Sequence, residues 1–308
     1  MAAKQPRYKS FNAFLRKRFG ERVQKITLNA PLGCPNRDGT RGRGGCSYCD
    51  ASGSGIEANA QTPNVRQQAL TGIQAIQHRY GAKKFIVYFQ SFCNTYAPLP
   101  QLRSLYDQVA NLPGIVGLSV ATRPDCLSTE VLELLTEYTG RMMVWLELGL
   151  QSSHDETLTR INRGHTWEEF LDGYSLARRY PLNICPHIII GLPGETAEHV
   201  RHTAQELARL KPDGLKIHSL YIHKGTALEQ DYLQGNFQPI SRDEFISQAC
   251  DLLELVQPDT VIQRLTSDPR ENCLIAPEWA LQKQAILRSI NQELFQRGTR
   301  QGHYWKDD

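Results

Sequence analysis

The chain has 308 residues, 40% of them apolar, enough for one large domain with a full core or for two smaller ones. Formal net charge is only +3, and no apolar run approaches the roughly 20 residues that cross a bilayer. The longest, ICPHIIIGL at 184–192, contains a Pro and a His and suits one buried strand. The N-terminus is basic and lacks the continuous apolar region of a secretory signal, so the expected location is the cytoplasm, with no membrane partner. Eight cysteines are too few for a disulfide scaffold in a chain of this length. Free thiolates able to hold metal fit a reducing compartment better.

The small net charge is unevenly spread. Residues 1–25 carry Lys4, Arg7, Lys9, Arg16, Lys17, Arg18, Arg22 and Lys25 against Glu21 alone, a local +7 that leaves about −4 for the rest. A basic arm over 1–24 on a slightly acidic body suggests contact with a polyanion such as RNA. The plainer reading is a solvated basic helix.

Strand-like and helix-like segments then alternate. KITLNAP (25–31) is followed by a helix-compatible stretch at 63–80, FIVYFQS (85–91) by one at 99–110, and GLSVAT (117–122) by one at 128–138. MVWLELGLQ (143–151) is followed by 167–179, NICPHIIIGL (183–192) by 196–210, and LKIHSLYI (215–222) ends the series. Alternation of this kind implies βαβ units and a parallel sheet. Near-continuous apolar strands are what helix-covered sheets contain. Six units do not complete an eight-stranded barrel. The expected fold class is therefore α/β, an open, partial (β/α)6 TIM-like barrel over 25–235. Residues 236–308 form a C-terminal extension, with a possible strand TVIQRL (260–265) and a helix near 278–297, packed on the barrel and closing its open side.

In parallel barrels chemistry collects at the C-terminal ends of the strands. Those ends here carry Cys34 and its loop, Gln90 and Ser91, Thr122 and Arg123, Glu147 and Gln151, the GLPGE turn, and Lys216 with His218. The loop GCPNRDGTRGRGGCSYC places eleven residues between Cys34 and Cys46 and two between Cys46 and Cys49. Three thiolates on a four-iron cluster leave one iron without a protein ligand, able to bind a small molecule. Glycine-rich loops suit such clusters, and Arg37, Arg41 and Arg43 would offset cluster charge. The alternative is structural zinc. Zinc prefers four ligands in a closed site, and no fourth Cys or His lies nearby, although Cys93 remains a distant candidate.

The segments GCPNRDGTRGRGGCSYC, YFQSFCNTYAP, ATRPDCL, WLELGLQSSHDETLTRINRGH, HIIIGLPGET, GLKIHSLYIHKGT and QRLTSDP together resemble the radical S-adenosylmethionine (SAM) superfamily. The match is to its YhcC-like, MnmL-related branch, whose core is similar to the radical SAM domain of the Elongator catalytic subunit. The longer first cysteine gap, in place of CxxxCxxC, resembles that branch. The resemblance implies that Cys34, Cys46 and Cys49 ligate a [4Fe–4S] cluster whose open iron binds SAM. An external one-electron reductant of flavodoxin or ferredoxin type would drive cleavage of SAM to methionine and a 5′-deoxyadenosyl radical, which abstracts hydrogen from a substrate.

Around the cluster, Tyr48 would pack on the adenine. Where many members carry a Gly-Gly-Glu-like motif for the SAM amino group, this chain has FQSFCNTY, leaving Gln90, Ser91 or backbone carbonyls for the role. Glu147 and Gln151 share a strand face. A carboxylate there needs a partner, either ribose hydroxyls or the amino group of SAM, or a salt bridge inside the barrel. Arg163 is favoured over Arg160 as the bidentate partner of the SAM carboxylate, and Gly191 and Pro193 of the GLPGET turn border the adenine. Lys216 and His218 share a face directed at the substrate cavity, with Arg123, Asp125 and Arg264 as further candidates. A relative in the branch is implicated in remodelling the wobble-uridine side chain of tRNA from carboxymethylaminomethyl to aminomethyl, so tRNA is the expected substrate. A small metabolite or peptide is the alternative within the same chemistry. A non-catalytic, zinc-dependent nucleic-acid-binding protein is the alternative outside it.

Overall fold

The computed structural model describes residues 6–53 and 64–307, so Lys4 of the basic arm lies outside the described residues. Its strands are β1 Val23–Leu28, β2 Lys84–Phe89, β3 Ile115–Thr122, β4 Met143–Gln151, β5 Asn183–Ile190, β6 Gly214–Ser219, β7 Ile222–His223, β8 Val261–Arg264 and β9 Leu274–Ala276. The helices are α1 Phe11–Phe19, α2 Val65–Tyr80, α3 Leu99–Ala110, α4 Thr129–Thr136, α5 Asp155–Arg160, α6 Trp167–Ala177, α7 Ala197–Leu210, α8 Ala227–Leu233, α9 Arg242–Leu255 and α10 Lys283–Gln296.

Seven strands pair in parallel in the order β1-β2-β3-β4-β5-β6-β8 and curl into a half-barrel, a partial TIM barrel. The expected six units are present. The seventh strand comes from the C-terminal extension, which joins the sheet as well as packing on it. Segment 215–222 divides in two because Ser219 ends the parallel ladder, and Ile222 then pairs antiparallel with Ala276.

Strand alternation sorts the side chains. Leu146, Leu148 and Leu150 of β4 join the main core beneath the helices, with Val120, Ile188 and Ile217 from neighbouring strands. Glu147, Gly149 and Gln151, the other parity, line the barrel interior. Trp145, next below Glu147 on that face, is 1% exposed and with Met143 closes the bottom.

The basic segment is the cover over that bottom. In α1, Phe11, Phe14 and Leu15 follow the i, i+3, i+4 spacing of one helix face. Phe11 and Phe14 meet the Trp145 ring edge-on at 5.7 and 6.1 Å, and Leu15 packs with Val23, Met143 and Val261 at the strand starts. Ser10 bridges to Ile262, so the N-terminal segment also lies beside the free edge of β8. Ser10 caps α1 by accepting from Ala13 N, and Gly20 ends it in the left-handed conformation. Arg16, Lys17 and Arg18 project into solvent. Leu15→Ala is expected to lower stability by about 2–4 kcal/mol, read as a lower urea midpoint at unchanged slope. A loss below about 0.5 kcal/mol would mean that α1 is not part of the cooperative fold.

Candidate active site

The half-barrel encloses a cavity of about 330 Å³ that opens at the C-terminal strand ends, within the size range of small-molecule sites. Its rim is the cysteine loop. The eleven residues between Cys34 and Cys46 fold back on themselves, with Asp38 bridged antiparallel to Arg43 and Gly39 N donating to Gly42 O at 3.0 Å. Asn162, just after α5, pins this turn by donating to Gly45 O at 2.7 Å and Arg43 O at 3.1 Å. Arg37 donates to the carbonyls of Cys49 (3.0 Å) and Asp50 (2.5 Å). Gly45 has φ +82°, and a Cβ there would fall 2.8 Å from Arg37 Nε. The long gap is thus a folded brace that sets where the three thiols stand.

Cys34, Cys46 and Cys49 are free thiols, and all three line the cavity. Arg163 NH1 donates to Cys46 Sγ at 3.6 Å, Arg163 NH2 donates to Gly149 O at 2.6 Å, and Asn36 Nδ2 approaches Cys46 Sγ at 3.7 Å. A Cβ on Gly149 would meet Arg163 NH2 at 2.6 Å, so glycine admits the guanidinium. Burial alone would raise the Cys46 thiol, but Arg163 and Arg123 more than offset it and hold the thiol below its ordinary value. Burial raises the Cys34 thiol, and the Asn36 backbone N–H and Arg123 only partly offset it. Arg123 is fixed by two 2.9 Å bonds to Asp125 and donates to Arg163 O at 2.8 Å. The cations beside the thiols are therefore Arg37, Arg123 and Arg163. Arg41, expected to offset cluster charge, turns outward to Glu169 at 2.6 Å.

The donor set fits an iron–sulfur cluster better than a lone ion. Among the described residues no three His, Cys, Asp or Glu side chains converge on one metal position, as tetrahedral zinc requires. Thiolates of a cluster each take a separate iron and need not converge. Among the described residues the buried Nε of Arg163 has no acceptor, which leaves a donor beside the thiols for a bound group. Cys93 is fully buried behind the loop, 3.0 Å from Thr122 Oγ1, and is not part of the cavity wall.

The floor is an ion-paired layer. Glu147, fully buried, accepts from Lys25 Nζ and Ser119 Oγ on one oxygen, and from Lys216 Nζ and His187 Nε2 (2.9 Å) on the other. Lys216 also donates to Tyr88 OH at 3.0 Å, and Lys25 to Gln263 Oε1 at 2.7 Å. The last bond links β1 to β8, so the two sheet edges meet through side chains at this level. Both Glu147 oxygens are taken by protein donors, the arrangement weighed above against a contact to ribose.

Lys25, counted in sequence among the basic segment, points inward instead. Burial pushes Lys216 down to about 7, an effect that Glu147 only partly reverses, while the two lysines and His187 hold Glu147 well below the usual carboxylate range.

The remaining expected site residues are spread over rim and flanks. Tyr48, Gln90 and Gln151 line the cavity, Gln151 at φ +83° where the β4–β5 register shifts. Ser91 is buried and donates to Asn29 Oδ1 at 2.5 Å, off the cavity wall. Gly191 and Pro193 also stand off the wall. Pro193 O accepts from Arg160 at the surface at 3.2 Å, and Ile189 and Leu220 are the cavity neighbours of that turn. His218 faces the cavity 5.6 Å from the His187 ring and makes no hydrogen bond within the described residues. Arg264, on the adjacent strand β8, lines the same side of the cavity, also without an acceptor among the described residues. Contributors that the sequence did not single out are Asn36, Tyr88, Ser119, His187, and His223 with Asp50 (3.2 Å). Of these, His187 was recoverable, since it shares with Cys185 and Ile189 the inward parity of β5.

These groups give the site a pH response. Burial and Lys216 push His187 down to about 4, and burial and Arg264 hold His218 well below its ordinary value. For His187, between about pH 6.5 and 4 the unfolded chain binds a proton that the folded chain does not, so stability falls as pH drops through that window, by up to about 1.4 kcal/mol per pH unit, and His218 acts in the same direction. Lys216 acts in the same sense from 7 to 10.5, where the folded chain has released a proton that the unfolded chain keeps. His187→Gln is expected to flatten the acid limb of melting temperature against pH. An unchanged limb would mean that His187 titrates alike folded and unfolded.

A parallel half-barrel whose strand ends carry three thiols over a polar cavity is the architecture of a SAM-dependent iron–sulfur enzyme. The radical SAM superfamily profile matches residues 32–207, and the radical SAM C-terminal domain profile matches 212–296. The chain belongs to the radical SAM superfamily, whose enzymes use a [4Fe–4S] cluster and SAM. It is 38% identical to YtqA of Bacillus subtilis over 97% of this chain and 93% of that one. It is 36% identical to YhcC of Escherichia coli K12 over 94% and 92%. It is 32% identical to a tRNA uridine(34) acetyltransferase of Dehalococcoides mccartyi over 50% of this chain and 33% of that one. The archaeal Elp3 of Methanocaldococcus infernus has the same fold, with a TM-score of 0.70 at 16% identity over 91% of this chain and 64% of that one. No helix among the described residues is long and apolar enough to cross a membrane.

Proposed function

We propose that this radical SAM enzyme modifies tRNA at the side chain of the wobble uridine. The observation that carries the chemistry is the placement of Cys34, Cys46 and Cys49 together on the rim of a closed-bottomed cavity, with Arg163 directed at Cys46. In this reading the three thiols hold the cluster, and Tyr48, Gln90, Gln151 and Arg163, which line the same cavity, orient SAM. When bound, cluster and SAM supply a carbon-centred radical able to take a hydrogen atom. Trp145 and α1 keep water from entering from below. The Lys25–Glu147–Lys216 layer fixes the floor, and His218 and Arg264 are left to meet the substrate.

The tRNA assignment is supported by the half-chain likeness to an enzyme named for uridine 34 of tRNA and by the exposed cations of α1. The free thiols support a reducing compartment, the cytoplasm, as the working location, with a flavodoxin- or ferredoxin-type protein as the electron donor of this reading. Nucleoside analysis of tRNA from cells lacking the protein is expected to show altered alkylated uridines. An unaltered profile would count against tRNA and favour a small metabolite or peptide seated on His218 and Arg264.

A further inference from the structure

We infer that the ends of α1 and α2 form an RNA-docking surface at the closed bottom of the barrel, opposite the cavity mouth. The partner is a folded RNA long enough to reach from one end of the barrel to the other. This rests on the reading that the substrate is RNA.

The two helix ends are adjacent in space. Lys84 Nζ donates to Phe19 O at 3.1 Å and pairs with Glu21 at 3.0 Å, and the Arg22 guanidinium lies 4.6 Å from the Tyr80 ring centre. Arg79 covers the same ring at 5.0 Å, and Arg18 lies 5.8 Å from the Phe19 ring. Around this junction Arg16, Lys17, Arg18, Arg22, Arg79 and Lys83 are exposed, and among the described residues none of the six pairs with an acid. Glu21 is already held by Lys84. Tyr80 is 39% exposed between two arginines.

Helix-dipole compensation accounts for basic residues in the last turns of α1 and α2. It does not account for Arg22 and Lys83, which lie outside both helices, or for so many cations without counter-charges. Unpaired cations interleaved with an exposed aromatic ring are the footprint of phosphate contact with base or ribose stacking.

Position then constrains the partner. The patch lies at the N-terminal strand ends and the cysteine rim at the C-terminal ends. β1 and β2, which run from the patch toward the cysteine rim, have 6 residues each, which at about 3.3 Å per residue separates the two ends by about 20 Å. A nucleoside or dinucleotide cannot occupy both, whereas a folded tRNA can lay its backbone on the patch and present a base at the rim.

The test is fluorescence-anisotropy binding of unfractionated tRNA to the reconstituted full chain across a salt series. The wild type is compared with a triple variant, Lys17→Glu, Arg18→Glu and Arg79→Glu, whose melting temperature and cluster absorption serve as folding controls. The expected result is wild-type binding that weakens steeply with salt, and a triple variant weakened roughly 100-fold with a shallower salt slope. Equal binding by a folded triple variant would overturn the surface while leaving the RNA reading standing. No binding by the wild type even at low salt would overturn both.

Discussion

Cys46→Ala is expected to abolish SAM cleavage and the cluster's visible absorption together. Cys46 is the most buried of the three thiols, at 9% exposure, and is the one that both Arg163 and Asn36 address. Removing its sulfur takes away a cluster ligand and leaves the buried NH1 of Arg163 without its acceptor, while Asn36 keeps its 2.6 Å bond to Asn162 O. Cys34→Ala and Cys49→Ala are expected to give the same loss. Cys93→Ala is the control, because its sulfur faces Thr122 rather than the cavity, and it is expected to keep a full cluster. The readout is iron content and 5′-deoxyadenosine release after anaerobic reconstitution. A Cys46→Ala protein with wild-type iron content and turnover would remove that residue from the ligand set.

Glu147→Ala is expected to be the most damaging substitution away from the cysteines. It leaves Lys25, Lys216 and His187 facing one another in the barrel with no carboxylate between them. Breaking a buried ion network by deleting one member costs about 3–5 kcal/mol, because the remaining charges stay desolvated. The effect should appear in urea unfolding of the cluster-free protein, which separates it from any effect on cofactor. Coupling to Lys25→Met gives a second check. The double variant is expected to lose less than the sum of the singles, since one uncompensated charge has been removed. Additive losses would show that Lys25 and Glu147 do not interact energetically.

Much of the fold is legible where one signal acts alone. The apolar run Met143–Gln151 and the helix Leu99–Ala110 have the bounds that their composition suggests. Competing signals hid other elements. In α1 the density of Arg and Lys masks the Phe11, Phe14, Leu15 stripe, so a charged arm was expected where the structure has a plug. Strand β8 falls within the expected segment 260–265, but with four residues, two of them polar, only its neighbours identify it as the seventh strand of the sheet. Helix α9 carries a capping box at Ser241 and Glu244, a signal present in the sequence but passed over within the extension.

The cysteine rim was readable because its residues lie close together in the chain. The floor was not, because Lys25, Glu147 and Lys216 are separated by more than a hundred and by 69 positions, and only the curl of the sheet brings them together. Parity along a strand indicates which residues point inward, but not which inward residues saturate one another.

The most direct measurement is iron and sulfide analysis of anaerobically purified protein, followed by dithionite and SAM with chromatography of the products. About four irons per chain, broad absorption characteristic of such clusters and release of 5′-deoxyadenosine are expected. A colourless protein that holds zinc and leaves SAM intact would contradict the assignment of Cys34, Cys46 and Cys49 to a cluster, and with it the enzymatic role of the cavity.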